Sequence, residues 1–325
     1  MRLVGTDRHA FFLARISISG HVFPAPDGTF HIPRRALGNY FTLEGVFGLQ
    51  SNRASIACIL LACVCWSFGG LLSKLIPWNA LTIAGFRALI AAIVLGAARK
   101  SYRPSNTFGT WLGAFGVMST SVLFIFANKL TSAANAIVLQ YAMPVVVILF
   151  EAVVRHRKPS KLDVVSVLVV LAGVILCFCQ GLSGGGMLGN VLALGSAFTY
   201  AIVYLAAHRA DCDALSYSYQ GNLVAALLVL YMPFDQGVTA DAGHFIAALG
   251  MGVCLTLGYL FFSFGMRRGV SAVTAAIVSN LEPILNPTWC FLFLGENPGP
   301  LSIAGAAIVL AAVTGYTILS SRRRA

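Results

Sequence analysis

A carboxylate followed by a proline stands in the middle of a long apolar segment. Residues 270–294 contain one charged residue, Glu282, which directly precedes Pro283, and Pro287 follows one helical turn later. A charge at the centre of a membrane span costs at least about 2.5 kcal/mol, so Glu282 must face protein or water, or carry a proton. The prolines lack the backbone N–H of other residues and can open the helical turn before them. This stretch predicts a site that binds an amine or a coupling proton. The alternative is a structural ion pair or hydrogen bond that fixes how the helices pack.

Arg87 is the natural partner for Glu282. It is the only arginine inside a predicted span, and its position midway along residues 79–98 places it at a similar depth. A guanidinium group can bind a substrate carboxylate through two parallel hydrogen bonds. It can equally neutralise Glu282 or contact the carbonyls at a helix end, which is the simpler interpretation. The sequence leaves both interpretations open.

Uncharged polar side chains fall at the same predicted depth as these two charges. Each one alone is explained by a hydrogen bond between helices, but the group predicts a cavity between two halves of the protein. The aromatic members are suited to form its apolar or cation-binding walls. Besides Glu282 and Arg87, the candidate cavity residues are Trp66, Gln140, Tyr141, Tyr200, Tyr204, Asn222, Tyr259 and Asn280.

Membrane helices are the elements that must position these residues. The chain is 58% hydrophobic and 10% charged, whereas soluble domains carry roughly 25% charged residues. A segment of about 20 mostly apolar residues is long enough to cross a bilayer as a helix. Ten segments meet this condition, and they are 54–76, 79–98, 108–128, 131–153, 162–180, 187–207, 216–234, 245–266, 270–294 and 299–320.

The distribution of basic residues predicts the orientation. The net charge is +11, but Lys and Arg lie between the apolar segments and form no basic stripe, which argues against nucleic-acid binding. Alternate connectors carry most of the basic residues, and the opposite connectors carry only Lys74 and Lys129. Because positive connectors stay in the cytoplasm, both chain ends are predicted to be cytoplasmic. Residues 1–52 contain no span of sufficient length, and we expect them to form a poorly ordered N-terminal extension.

The chain contains an internal repeat at a constant offset of 139 residues. Under this offset Ser132 aligns with Ser271, Pro144 with Pro283, and Pro159 with Pro298. The repeat predicts two halves, 53–183 and 184–325, of five spans each. Five is an odd number, so the second half must lie inverted in the membrane, and such proteins bind substrate near the midplane between the repeats. The predicted fold is therefore an all-α polytopic membrane protein with ten transmembrane helices in two inverted repeats, broken at Pro144, Pro283 and Pro287.

Enzyme chemistry has little support in the sequence. There is no H-E-x-x-H, no G-x-S-x-G and no phosphate-binding loop, and all six histidines fall outside the predicted spans. The eight cysteines lie mostly in apolar segments, where they act as small hydrophobic residues. We expect no cofactor and no metal.

Several stretches, in order and with the right spacing, carry a resemblance to a known family. They are "CWSFGGLLSKLI" (65–76), "AGFRALIAAIVLG" (84–96), "TSAANAIVLQYAMPVVVILFEAVV" (131–154), "GYLFFSFGMRRGVSAVTAAIVSNLEPILNP" (258–287) and "LGE" (294–296). Over residues 53–320 the chain resembles the EamA-type branch of the drug/metabolite transporter superfamily. The chain departs from the family pattern at His156 and Arg157, which replace a glycine–glutamate pair, and at Met143, which stands opposite Glu282.

This resemblance implies a transporter, and the family's substrates include amino acids, nucleobase-like metabolites, sugars and drugs. We predict a secondary transporter in the bacterial inner membrane that moves a small metabolite by alternating access, outward and with protons as the coupling ion. The alternatives are a channel-like or structural membrane protein, or an importer of a nucleobase- or sugar-type metabolite. The expected partners are the substrate and the lipid bilayer, and a homodimer remains open.

Overall fold

We describe the protein from a computed structural model. It describes residues 53–154, 158–184, 186–207, 209, 211–267 and 278–324, so the predicted N-terminal extension lies outside the described residues. Helices account for most of this part of the chain, and it contains no β-strand. The helices of the first half are α1 (Arg53–Leu75), α2 (Ala80–Ala98), α3 (Phe108–Leu130), α4 (Ala133–Gln140), α5 (Met143–Val154) and α6 (Lys161–Gly184). Those of the second half are α7 (Met187–Ala207), α8 (Ala214–Ala226), a 3-10 helix (Leu227–Phe234), α9 (Ala242–Arg267), α10 (Glu282–Leu294) and α11 (Pro300–Arg324).

All ten predicted spans correspond to helical segments. Within the described residues, seven segments are long and apolar enough to cross a membrane, and one of them joins α4 and α5. The apolar part of α7 is shorter, and α8 continues as the 3-10 helix, which contains Pro233. The last of the shorter segments, α10, is the second part of the span predicted at 270–294; residues 270–277 lie outside the described part. The prediction of an all-α polytopic membrane protein is confirmed.

The two halves pack on each other in mirrored pairs. The first helix of one half lies against the third helix of the other, so that α1 packs on α9 and α7 packs on α3. The fifth helices, α6 and α11, pack on each other and run antiparallel. At one end Tyr316 donates to Asp163 Oδ1 at 3.0 Å, and at the other the Leu301 N–H donates to Gln180 Oε1 at 3.3 Å. Because equivalent helices run in opposite directions, the repeats are inverted.

The fourth span of each half is broken at an equivalent point. In the first half α4 ends at Gln140, a turn occupies residues 141–142, and α5 begins at Met143. In the second half a turn occupies residues 280–281 and α10 begins at Glu282. Pro144 and Pro283 are the second residues of the helices that follow, where an N–H is not needed by the helix. The shared prolines therefore set the position of both breaks, whereas the break predicted at Pro287 is absent because Pro287 lies inside the continuous helix α10.

The helix α4 forms the centre of the largest apolar core. Every residue from Ala133 to Leu139 is buried, and the cluster around them draws on α2, α3, α6, α7, α9 and α11. Ser132 caps α4 by accepting a hydrogen bond from the Asn135 N–H at 3.1 Å. This fixed helix carries Gln140 and Tyr141 into the middle of the molecule.

Candidate functional site

A cavity with a volume of about 970 Å³, including its solvent-open part, lies between the two halves. The residues that line it come from both repeats and from eight of the described helices. Six of the residues predicted from the sequence are among them: Trp66, Arg87, Gln140, Tyr200, Tyr259 and Glu282. The structure thus brings together the two charged groups and most of the aromatic ones.

Glu282 is the first residue of α10 and lies partly buried beside the break. The Tyr141 hydroxyl donates to Glu282 Oε2 at 2.9 Å. The same hydroxyl lies 3.1 Å from the carbonyl oxygen of Ser279. Tyr141 itself occupies the turn after α4, so the hydrogen bond joins the helix break of one repeat to that of the other.

Arg87 lies on α2 and is 5% exposed. Its Nη2 donates to the Ser121 carbonyl at 2.9 Å and to the Ser121 hydroxyl at 2.6 Å, which holds the guanidinium group against α3. Its Nε is buried and has no hydrogen-bond partner in the described part of the chain. A buried guanidinium N–H without an acceptor is costly, and a bound anion would remove that cost.

No ion pair joins Arg87 and Glu282 among the described residues. The interpretation in which Arg87 directly neutralises Glu282 is therefore not what the structure contains. Instead, one cationic and one acidic side chain line the same cavity without contacting each other. Such an arrangement leaves room for a ligand that carries both charges.

Aromatic rings form one wall of the cavity. Trp66 Nε1 donates to the Leu255 carbonyl at 3.3 Å, and its ring contacts Tyr259 and Phe262 with centroids 5.7 and 5.6 Å apart. A Cβ atom at Gly258 would overlap the Trp66 ring, so a glycine is required for this close approach. The wall offers an apolar surface and ring faces that attract a cation.

Three of the predicted residues do not line the cavity. Tyr141 contacts Glu282 from behind the lining, and Asn222 is buried in α8, where its Nδ2 donates to the Ser218 carbonyl at 2.8 Å. Asn280 turns to α11 and donates to Thr314 at 2.8 Å. The Tyr204 side chain lies outside the described part of the structure. The depth predicted from the sequence does not distinguish a residue that faces the cavity from one that faces a neighbouring helix.

The lining also includes residues that sequence reasoning missed. Thr120 and Ser121 lie on α3, Tyr217 and Ser218 at the start of α8, and Ser263 on α9. Single hydroxyl groups are common in membrane helices, so the sequence does not indicate which of them line a cavity. Tyr217 and Ser218 lie near a helix end, so the cavity extends from the midplane toward the connector that precedes α8. That connector is one of the basic, predicted cytoplasmic set.

The opposite end of the molecule is tied by an ion pair between the two repeats. Lys74 at the end of α1 lies 2.6 Å from Glu296, which lies two residues after the end of α10. Lys74 also donates to the Thr131 carbonyl at 3.0 Å, and Glu296 Oε1 accepts from the Ala133 N–H at 2.6 Å. Glu296 therefore holds the last turn of α10 against the first turn of α4, where a negative charge also favours the helix dipole.

A second ion pair stabilises the connector before α8. Arg209 Nε lies 2.9 Å from Asp211 Oδ1, and Asp211 Oδ2 accepts from the Gly109 N–H at 3.0 Å. The hydrogen bond from Arg209 lowers the pKa of Asp211 below its ordinary value. This exposed pair closes the start of α3 onto the connector and lies outside the cavity lining.

The sequence matches the EamA-like transporter family over residues 53–179 and again over 187–318. The threonine/homoserine exporter RhtA of Escherichia coli (strain K12) is 25% identical over 250 residues, covering 73% of this chain and 81% of that protein. The pseudopaline exporter CntI of Pseudomonas aeruginosa (strain UCBPP-PA14) is 26% identical over 206 residues, covering 61% of this chain and 71% of that protein. One crystal structure has a similar fold, with a TM-score of 0.55 and 20% identity over 83% of this chain and 98% of that chain.

These matches account for both halves of the chain, and they agree with the mirrored helix pairs and the apolar spans. They confirm the resemblance to the drug/metabolite transporter superfamily. The chain is a multi-pass inner-membrane protein, and it belongs to the EamA-like transporter family.

Proposed function

We propose that the protein exports a small amino-acid-like solute in exchange for protons. The single observation that carries this proposal is the presence of Arg87 and Glu282 in one cavity without an ion pair between them. Arg87 would bind the carboxylate of the solute, through an N–H that has no partner in the described structure. Glu282 would bind the ammonium group, next to the aromatic wall around Trp66.

The same carboxylate provides a basis for proton coupling. Glu282 cannot bind an ammonium group as a carboxylate and carry a proton at the same time. A solute that leaves Glu282 on the outer side therefore frees it to take up a proton, and the proton must leave before the next solute binds. This exclusion produces exchange of protons for solute without any further component.

The predicted orientation agrees with export. With both termini in the cytoplasm, the basic connector before α8 is cytoplasmic, and the cavity extends toward that side. The Lys74–Glu296 ion pair then lies on the outer side and ties it shut. Two relatives, which are named as exporters of threonine/homoserine and of pseudopaline, support the same direction, and the first of them supports a solute with amino-acid character.

Transport of radiolabelled threonine by purified protein in liposomes tests this proposal. We expect an imposed pH gradient to drive threonine uptake, and unlabelled threonine on the opposite side to drive counterflow. Ethanolamine, which lacks the carboxylate, and lactate, which lacks the amine, should compete poorly. Counterflow would be absent from a channel.

Glu282→Gln should abolish the response of transport to the pH gradient, because the amide of glutamine does not take up or release a proton as a carboxyl group does. The matched control is Asp241→Asn, which removes an exposed acid at the start of α9 and should leave transport unchanged. An unaltered rate and pH dependence in Glu282→Gln would rule out the proton role of this residue.

A further inference from the structure

The second helix break leaves one backbone carbonyl without its usual partner. In a continuous helix the carbonyl of Ser279 would accept from the N–H four residues later, at position 283. That residue is Pro283, which has no N–H. The N–H groups that follow, of Ile284 and Leu285, both donate to Leu281 at 3.2 and 2.9 Å. The Ser279 carbonyl must therefore find a donor outside its own helix.

Tyr141 is the group that lies within reach of this carbonyl. Its hydroxyl oxygen is 3.1 Å from the Ser279 carbonyl oxygen and 2.9 Å from Glu282 Oε2. A tyrosine hydroxyl has one proton to donate, and here two acceptors are within reach. Whether the Tyr141 O–H donates to Glu282 or to the Ser279 carbonyl depends on whether Glu282 is ionised or protonated.

The charge on Glu282 decides between the two arrangements. An ionised carboxylate only accepts, and a hydrogen bond to a charged acceptor is about twice as strong as one to a neutral group, so the Tyr141 proton points to Glu282. When Glu282 carries a proton it becomes a donor, and its O–H can point at the Tyr141 oxygen. The Tyr141 O–H then donates its hydrogen bond to the Ser279 carbonyl instead.

We propose that Tyr141 is a positioning residue that couples the charge of Glu282 to the geometry of the second helix break. It does so by moving one hydrogen bond between Glu282 and the Ser279 carbonyl. Tyr141 lies in the turn of the first break. A change in the charge of Glu282 therefore changes a hydrogen bond that joins the two repeats. This inference rests on the proposed function only in taking Glu282 as a group that changes its charge during transport.

Glu282 is the one carboxyl group among the described residues that line the cavity. The other titratable or charged side chains around it are Cys63 on α1, Arg87 on α2, Tyr141, Tyr200 on α7, Tyr217 on α8 and Tyr259 on α9. Cysteine and tyrosine ordinarily titrate above pH 8, and arginine above pH 12. Because none of these neighbours is a carboxyl group, a carboxyl signal that is lost in Glu282→Gln reports on Glu282.

Infrared difference spectroscopy of the purified protein tests the inference without a transport assay. The band of a protonated carboxyl group that disappears in Glu282→Gln is assigned to Glu282, and its intensity is followed against pH. In Tyr141→Phe we expect this titration to move to higher pH by about one unit, because the ionised form loses its donor. The transport profile should move in the same direction.

Two further variants separate this role from a structural one. Tyr102→Phe removes a tyrosine hydroxyl that donates to the Ile93 carbonyl outside the cavity lining, and it should leave the Glu282 titration in place. In the Glu282→Gln background, Tyr141→Phe should have no effect on the pH dependence of transport. If Tyr141→Phe fails to fold, Tyr141→fluorotyrosine retains the ring, provides a stronger donor and should move the titration to lower pH.

The outcomes distinguish this inference from the proposed function. A Glu282 band that titrates identically in the native protein and in Tyr141→Phe, or in the fluorotyrosine variant, would overturn the role of Tyr141. A Glu282 band that titrates and shifts, in a protein that does not transport threonine, would leave the role of Tyr141 intact and overturn only the proposed solute.

Discussion

The two helix breaks have the same backbone plan and different chemistry. Each has a two-residue turn followed by a helix whose second residue is proline, at Pro144 in one repeat and Pro283 in the other. The residue before the proline is Met143 in the first break and Glu282 in the second. The break is therefore a property of the architecture, whereas the carboxylate is a property of one copy.

The comparison shows what a break provides in each repeat. In the first repeat it places Tyr141 beside Glu282, and in the second it places Glu282 at the cavity and leaves the Ser279 carbonyl without an N–H at position 283. The hydrogen bonds of Tyr141 then connect one break to the other. One copy supplies the donor, and the other supplies two acceptors.

Giving the first break a carboxylate should have the largest effect. Met143 is partly buried and does not line the cavity, so Met143→Glu would place a charge in a partly buried position outside the cavity. We expect a loss of roughly 2–3 kcal/mol of stability at neutral pH, measured by thermal unfolding in detergent. The loss should shrink as pH falls, because the neutral acid is tolerated better than the carboxylate.

Met143→Gln is the control for that experiment. Glutamine is similar to glutamate in size and polarity but has no charge. We therefore expect Met143→Gln to be less stable than the native protein, by an amount that does not change with pH. Equal and pH-independent losses in both variants would mean that position 143 tolerates a charge. The chemical difference between the breaks would then not depend on their surroundings.

Restoring a backbone N–H should affect the two breaks unequally. Pro283→Ala provides a donor for the Ser279 carbonyl and competes with Tyr141, so we expect transport to slow several-fold. Pro144→Ala restores an N–H at the first break, where it does not compete with Tyr141 for the Ser279 carbonyl, and transport should change by less than about twofold. Initial rates of counterflow in liposomes measure both variants, and equal slowing would contradict the special role of the second break.

The smallest effect is expected where the two broken segments are tied at the outer end. Glu296→Gln removes the charge that pairs with Lys74 but can still accept from the Ala133 N–H. A partly exposed ion pair contributes about 0–1 kcal/mol, so thermal stability should fall only slightly, and less at high salt. A fall larger than that of Met143→Glu would show that this tie, rather than the helix breaks, sets the stability of the fourth spans.

Some of this site could be predicted from the sequence, for a physical reason. A charge inside an apolar segment is costly, so Glu282 and Arg87 stood out without any structure. The repeat and the apolar spans follow from patterns that extend over many residues. These signals are strong because membrane insertion itself imposes them.

The remaining features depend on which face of a helix points where. Asn280 and Tyr200 have similar depths, yet one contacts α11 and the other lines the cavity. Ser121 is identified as the partner of Arg87 only by the structure, in which α2 and α3 lie side by side. The role of Tyr141 could not be predicted because it requires a contact between two breaks that are far apart in the sequence.

The mirrored pairs of helices also bear on how such a protein could arise. A dimer of two identical half-length chains, inserted in opposite orientations, would have the same residue before the proline in both copies. It would carry two facing carboxylates or none. Joining the halves into one gene lets each copy change by itself, so that a methionine in one and a glutamate in the other become possible. The unequal breaks are thus a feature that a single chain with two halves allows and a dimer of identical halves does not.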